Sequence, residues 1–185
     1  MATEVVKRLI NVDEYYKMAE VGILKPEDRV ELINGEIFKM SPIGSRHAAI
    51  VDYCAKVMNK LMDGEATVRV QNPIRIDYDN EPEPDISLLK FRSDYYTSAH
   101  PGPADVFVLI EVAGSSIRFD WEVKAPLYAT HGIPELWIID LDTNQIEYFS
   151  KPQGDAYTET RVFRPGDELS VMGRKFAVKE LLILS

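Results

Sequence analysis

The chain has 185 residues, 45% hydrophobic and 28% charged, a composition that excludes intrinsic disorder, a collagen-like repeat and a disulfide scaffold. Its 21 Lys and Arg face 30 Asp and Glu, and the resulting charge of −9 has the wrong sign for nonspecific attraction to a phosphate backbone unless a local groove or a bound cation reverses it. Cys54 has no second cysteine to bridge to, no signal-peptide pattern opens the chain, and the longest strongly apolar run, Val106 to Ile110, falls far short of the roughly 20 residues of a bilayer span. The expectations are a cytoplasmic protein with no membrane role, a single domain over residues 1–185, and a core large enough that any metal is catalytic rather than structural.

In chain order, Asn11 caps a short helix through Glu20. Arg29 to Ile33 and Glu36 to Met40 then read as strands joined by Asn34-Gly35, a pair that tolerates positive φ and marks a hairpin. From Ser45 to Met62 apolar residues recur at helical spacing, with Ser45 as the cap and Gly64 as the stop. Strands follow at Ala66 to Val70, Ile74 to Tyr78 and Asp85 to Leu89. Val106 to Val112 reads as a central strand, and Arg118 to His131 as a helix ended by Gly132, with Pro126 predicting a kink or a late start near Lys124. Glu135 to Leu141 and Gln145 to Ser150 pair across Asp142-Thr143-Asn144, and further strands lie at Tyr157 to Phe163 and Leu169 to Val171. The mixture predicts an α/β (α+β) fold with a mixed sheet.

Three acids stand where a core is expected. Glu111 interrupts the apolar run from Val106 to Ala113, Glu31 lies within Val30 to Ile33, and Asp85 precedes Ile86 to Leu89. A buried carboxylate is costly unless a cation, a metal or dense hydrogen bonding compensates it. The alternative is that each acid points outward from a half-exposed strand. If they converge, a hard divalent cation fits, because Mg²⁺ takes one or two carboxylates and completes its shell with water and substrate phosphate. Asp120 and Lys124 share a helix face with Tyr128, and taken alone they read as a surface ion pair.

Other chemistries find no support. Asp77, Asp79, Glu81 and Glu83 alternate up to Asp85, but Pro82 stands where a calcium loop needs Gly, so they read as a solvated acidic strand end. No nucleophile elbow, Walker A or dinucleotide-binding glycine pattern occurs, and His47, His100 and His131 lack zinc-site spacing. His47 is read either as a surface residue or as one that orients a site carboxylate, and Cys54 as a packed thiol.

As an ordered set, Val30-Glu31-Leu32-Ile33-Asn34-Gly35-Glu36-Ile37, Ser41-Pro42 with His47, Glu83-Pro84-Asp85, Leu109-Ile110-Glu111-Val112, Asp120 with Lys124 and Tyr128, and Gly132 to Trp137 with Asp140 resemble the Uma-two family of restriction-endonuclease-like proteins, within the PD-(D/E)XK nuclease superfamily. The resemblance implies a restriction-endonuclease-like core, a mixed β-sheet flanked by helices, with an added N-terminal hairpin and C-terminal strands. It implies a metal-dependent endonuclease that hydrolyses nucleic-acid phosphodiester bonds, with DNA as substrate and Mg²⁺ (or Mn²⁺) as cofactor. Asp85 and Glu111 would hold the metal, Lys124 would serve the water or scissile phosphate, and Glu31 would take a supporting or second-metal role. The superfamily's usual lysine position, two residues past the second acid, is Ala113 here, and Lys124 looks like its relocated counterpart. A homodimer is expected, with the hairpins and the aromatic-rich Glu135 to Phe149 segment offering edges and apolar area. The alternative is a non-catalytic binding or regulatory module on the same fold.

Overall fold

The computed structural model describes residues 6–25 and 27–182. A six-stranded mixed sheet, in the order β3-β4-β5-β6-β7-β8, is flanked by helices and by two separate two-stranded hairpins. Helix α1 (Val12–Glu20) carries the expected Asn11 cap, completed by Glu14 in a reciprocal capping box. Strands β1 (Val30–Ile33) and β2 (Glu36–Lys39) form the hairpin, turning on Asn34 and Gly35 at φ of 52° and 71°. Gly35 is required twice over, since a Cβ there would meet Leu9 Cβ at 2.7 Å and the Ile10 carbonyl at 2.9 Å.

Helix α2 (Ser45–Met62) buries Ile50, Val51, Cys54, Met58 and Met62 against one face of the sheet. Its cap residue is Gly44 rather than Ser45, and it ends on Asp63 in the left-handed conformation, one residue before Gly64. Strands β3 (Ala66–Val70), β4 (Ile86–Lys90) and β5 (Val106–Ala113) are antiparallel neighbours. The strand expected at Ile74 to Tyr78 does not form. That segment folds back on itself, with Ile74 N–H donating to the Pro82 carbonyl and Ile76 N–H to the Asn80 carbonyl. Ile74 and Ile76 alternate because both are buried in the second core, while Pro73, Pro82 and Pro84 lack the donors a sheet ladder needs.

Alternation along β5 holds from Val108 onward and breaks before it. Leu88 pairs with Val108 but Leu89 pairs with Val106, and this bulge moves Val106 to the face of Leu109 and Ala113, with Phe107 packing on the other. The chain then crosses over through α3 (Ile117–Phe119), a π-helical turn (Asp120–Lys124) and α4 (Ala125–Thr130), and returns parallel to β5 as β6 (Glu135–Asp140). The kink expected from Pro126 is thus a π-turn: Ala125 N–H reaches back to the Asp120 carbonyl, and Pro126 follows in the first turn of α4.

Strands β7 (Gln145–Gln153) and β8 (Ala156–Phe163) complete the sheet, and β9 (Glu168–Val171) pairs with β10 (Arg174–Ala177) in the C-terminal hairpin. Because β6 and β7 are each paired on both sides and Trp137 is fully buried, the Glu135 to Phe149 segment itself carries no free edge; the free edge on that side of the sheet is β8. Asp140 accepts the Asp142 and Thr143 amides at 2.8 and 3.1 Å, which makes it a turn-forming acid. Among the described residues no helix is long and apolar enough to cross a membrane.

Candidate functional site

The central row of the site follows from sheet register. Ile86 pairs with both Val70 and Ile110, so the next positions along, Gln71, Asp85 and Glu111, come together where β3 ends and β4 begins beside β5. Asp85 is tied down from three directions. His47 Nε2 lies 3.1 Å from Oδ2, Val112 N–H donates to Oδ2 at 2.9 Å, and the Gln71 amide donates to Oδ1 at 3.0 Å. Burial pushes the Asp85 carboxyl up, but the His47 hydrogen bond and charge, with the Val112 and Gln71 donors, outweigh it and hold the group below the usual range. The same hydrogen bond raises His47, against the opposing effect of burial. His47 is therefore a carboxylate-orienting residue, not a surface histidine.

Glu111 lies on the sheet face that the crossover helix covers, and it is 3% exposed. Its Oε1 accepts from Tyr128 Oη at 2.7 Å and from Lys124 Nζ at 3.3 Å. Lys124 also reaches Glu31 Oε2 at 3.2 Å, and that oxygen accepts the Glu83 amide, again at 3.2 Å. Lys124 is 6% exposed and Glu31 4%, so the outward-facing reading of the acids and the surface-pair reading of Lys124 both fail. Asp120 is not the partner of Lys124. It is buried, accepts a 3.3 Å bond from Ser116 Oγ, and has no cation within 4.0 Å among the described residues.

The electrostatics follow from this crowding. Burial pushes Glu111 up to about 8, with Lys124 opposing and Asp120, Asp85 and Glu31 adding to the rise. Asp120 is pushed up to about 6, again by burial first. Lys124 loses hydration on burial, yet Glu111, Glu31, Asp120 and Asp85 together hold it above its ordinary value, and Tyr128 is raised by burial and by the same carboxylates. Lys124 therefore serves Glu31 and Glu111 and His47 faces Asp85, while Asp120 has no cation within 4.0 Å among the described residues.

These groups line a cleft of about 410 Å³, walled by Arg29, Phe38 and Lys39 from the N-terminal hairpin, by Gly44 and His47 at the start of α2, and by Gly114 to Ser116 after β5. Among the described residues no three His, Cys, Asp or Glu side chains converge closely enough to hold a metal ion by themselves. The carboxylates of Asp85 and Glu111 are the kind of oxygen donor that a hard divalent cation takes, one or two from the protein being enough.

All four residues singled out in the sequence, Glu31, Asp85, Glu111 and Lys124, thus line one cleft. Sequence reasoning gave no role at the site to Gln71, Glu83 or Asp120. Gln71 follows β3 with φ of 49° and gave no motif. Glu83 and Glu81 are not solvated as expected: Glu83 is half-buried in the cleft, while Glu81 is buried, accepts from Tyr16 Oη at 2.6 Å and pairs with Arg75. Their flanking prolines, Pro82 and Pro84, signalled a constrained segment rather than a loose acidic strand end. Cys54 is a packed thiol raised by burial, as its helix position predicted.

No curated protein matches the chain. A solved structure described as a "putative nuclease belonging to DUF820" from Anabaena variabilis is similar, with a TM-score of 0.74 and 22% identity over 93% of this chain and 97% of that one. At that identity the likeness speaks for the fold. The Uma2 family, described as "putative restriction endonuclease", matches residues 12–177, and the chain belongs to that family.

Proposed function

We propose that the protein is a metal-dependent endonuclease that hydrolyses phosphodiester bonds in nucleic acid, with DNA as the substrate and residues 1–185 acting as one domain. The observation that carries the reading is the burial of Lys124 between Glu31 and Glu111 in the cleft that Asp85 also lines. Asp85 and Glu111 would hold Mg²⁺ or Mn²⁺. When bound, such a cation polarises the phosphate and lowers the pKa of the attacking water.

The remaining chemistry belongs to the chain's own groups. Lys124 presents an ammonium whose protonation the surrounding carboxylates favour, so it stabilises negative charge developing on the phosphate and does not act as a base. Glu31 keeps that ammonium in place and is itself fixed by the Glu83 amide. His47, Gln71 and the Val112 amide fix the orientation of Asp85, leaving little reorganisation to be done when a substrate arrives. Arg29 and Lys39 on the cleft wall meet the polyanion.

The test is cleavage of plasmid and of single-stranded DNA and RNA with Mg²⁺ or Mn²⁺, beside Asp85→Asn and Glu111→Gln. Metal-dependent cutting of DNA that both variants lose supports the reading. Intact substrates in every metal condition, with nucleic acid or another partner still bound, would replace it with the non-catalytic module.

A further inference from the structure

The phosphodiesterase reading leaves one buried carboxylate in the cleft without a role. Asp120 is 4% exposed and lines the cleft with Asp85 and Glu111. Among the described residues its one side-chain hydrogen bond is the long contact from Ser116. Lys124, four residues on, gives its ammonium to Glu31 and Glu111 instead. A carboxylate buried this deeply with so little compensation is destabilising unless a ligand supplies the missing charge.

The backbone is arranged to put it there. In an uninterrupted α-helix, residues eight apart lie about 80° from each other around the axis, so Asp120 would turn away from Tyr128, whose hydroxyl bonds Glu111. The π-turn over Asp120–Lys124 inserts one residue into that turn and cuts the offset to about 20°, which brings Asp120, Lys124 and Tyr128 onto one stripe. Pro126, placed just after the turn, disfavours a straight helix through this point because it cannot donate to the Glu122 carbonyl. The proline that departs from a regular helix pattern thus favours the geometry that turns Asp120 into the cleft.

We propose that Asp120 is a positioning residue for the divalent cation, its charge joining those of Asp85 and Glu111 from the helix side of the cleft. This rests on the reading of the cleft as a metal-dependent nuclease site. A cation is the occupant that the donors favour: Lys124 already pairs with Glu31 and Glu111 and His47 with Asp85, so an anionic or neutral group at Asp120 would leave its charge uncompensated. Carboxylates that support a metal from beyond its direct ligands typically contribute about 10- to 100-fold in affinity.

The experiment is calorimetric titration of the full chain with Mn²⁺, repeated by electron paramagnetic resonance of free Mn²⁺, together with metal-free thermal melts. It compares wild type, Asp120→Asn and Asp13→Asn, the last on the exposed face of α1. Asn keeps the volume and an acceptor for Ser116 while removing the charge. The expected result is an Mn²⁺ affinity about 10- to 100-fold weaker for Asp120→Asn, with a metal-free melting temperature equal to or above wild type, and no change for Asp13→Asn. Wild-type affinity in Asp120→Asn, or an equal loss in Asp13→Asn, overturns the role of Asp120 while leaving the nuclease reading standing. A wild-type chain that takes up no Mn²⁺ overturns both.

Discussion

Replacing Lys124 with Met tests the centre of the site, because it keeps an unbranched chain only one atom shorter and removes the charge. Lys124 Nζ lies 3.2 Å from Glu31 and 3.3 Å from Glu111. At an effective dielectric of about 20, each attraction is worth about 5 kcal/mol before the ammonium's desolvation is subtracted, and removing one partner of such a buried pair usually costs about 3–5 kcal/mol. Glu111 sets how that loss depends on pH. Burial holds its carboxyl near about 8, so well below that value it already carries a proton and gains little from Lys124. In Lys124→Met the proton is retained to still higher pH; the folded variant then binds more protons than folded wild type, and its stability falls further behind as pH rises. The expected loss is about 4 kcal/mol at about pH 9 and about half that at about pH 6, where mainly the Glu31 contact remains. Urea unfolding followed by tryptophan fluorescence at both pH values measures it. A loss under about 1 kcal/mol at both would refute the burial of the ammonium between the two acids, since that is the scale of an exposed pair.

Two further outcomes follow from the same geometry. Without metal, stability should fall as pH rises from about 4.5 to about 8, because a carboxyl raised in the folded state contributes fully below its unfolded value and loses that contribution through its folded one; Glu111→Gln should flatten the slope in pH-dependent melts, and an unchanged slope would assign it to other groups. If two copies pair for double-strand cutting, light scattering at micromolar and higher concentration should give twice the chain mass, and the pairing should be sensitive to Thr160→Pro on the β8 edge; a monomer mass throughout would remove the dimer.

The sequence made the acids visible because each broke an apolar pattern, and a charge inside such a pattern must be either turned outward or compensated. Glu31, Glu111 and Asp85 were therefore legible one at a time, and the Asn34-Gly35 turn fixed the hairpin that carries Glu31. Their partners were harder to read. That Lys124 bonds Glu31 rather than Asp120 depends on how the crossover helix lies across the sheet, a tertiary fact with no local signature. Pro126 announced an irregular helix, but a π-turn, a kink and a late start share that one signal. The strand expected at Ile74 to Tyr78 falls on a segment whose burial alternates like a strand's, but the prolines around it have removed the donors that pairing requires. Glu83 was missed for the opposite reason: an acid among other acids breaks no pattern, although this one lies in the cleft and is raised by burial and by Glu31.

The charge of −9 argued against a nucleic-acid protein, and the distribution of charge shows why that total is a poor guide here. Much of the acidity that bears on a substrate is concentrated at the cleft floor, in Glu31, Asp85, Glu111 and Asp120, with Lys124 as the ammonium set among them. Arg29 and Lys39 stand on the wall above. On the proposed reading such a floor would repel a phosphate until a divalent cation neutralised part of it, after which the wall residues and Lys124 would govern the local field. On the metal-dependent reading, the acids that make the chain repel a polyanion would be the ones that recruit the cation for binding it, so net charge is a guide to neither substrate nor metal affinity.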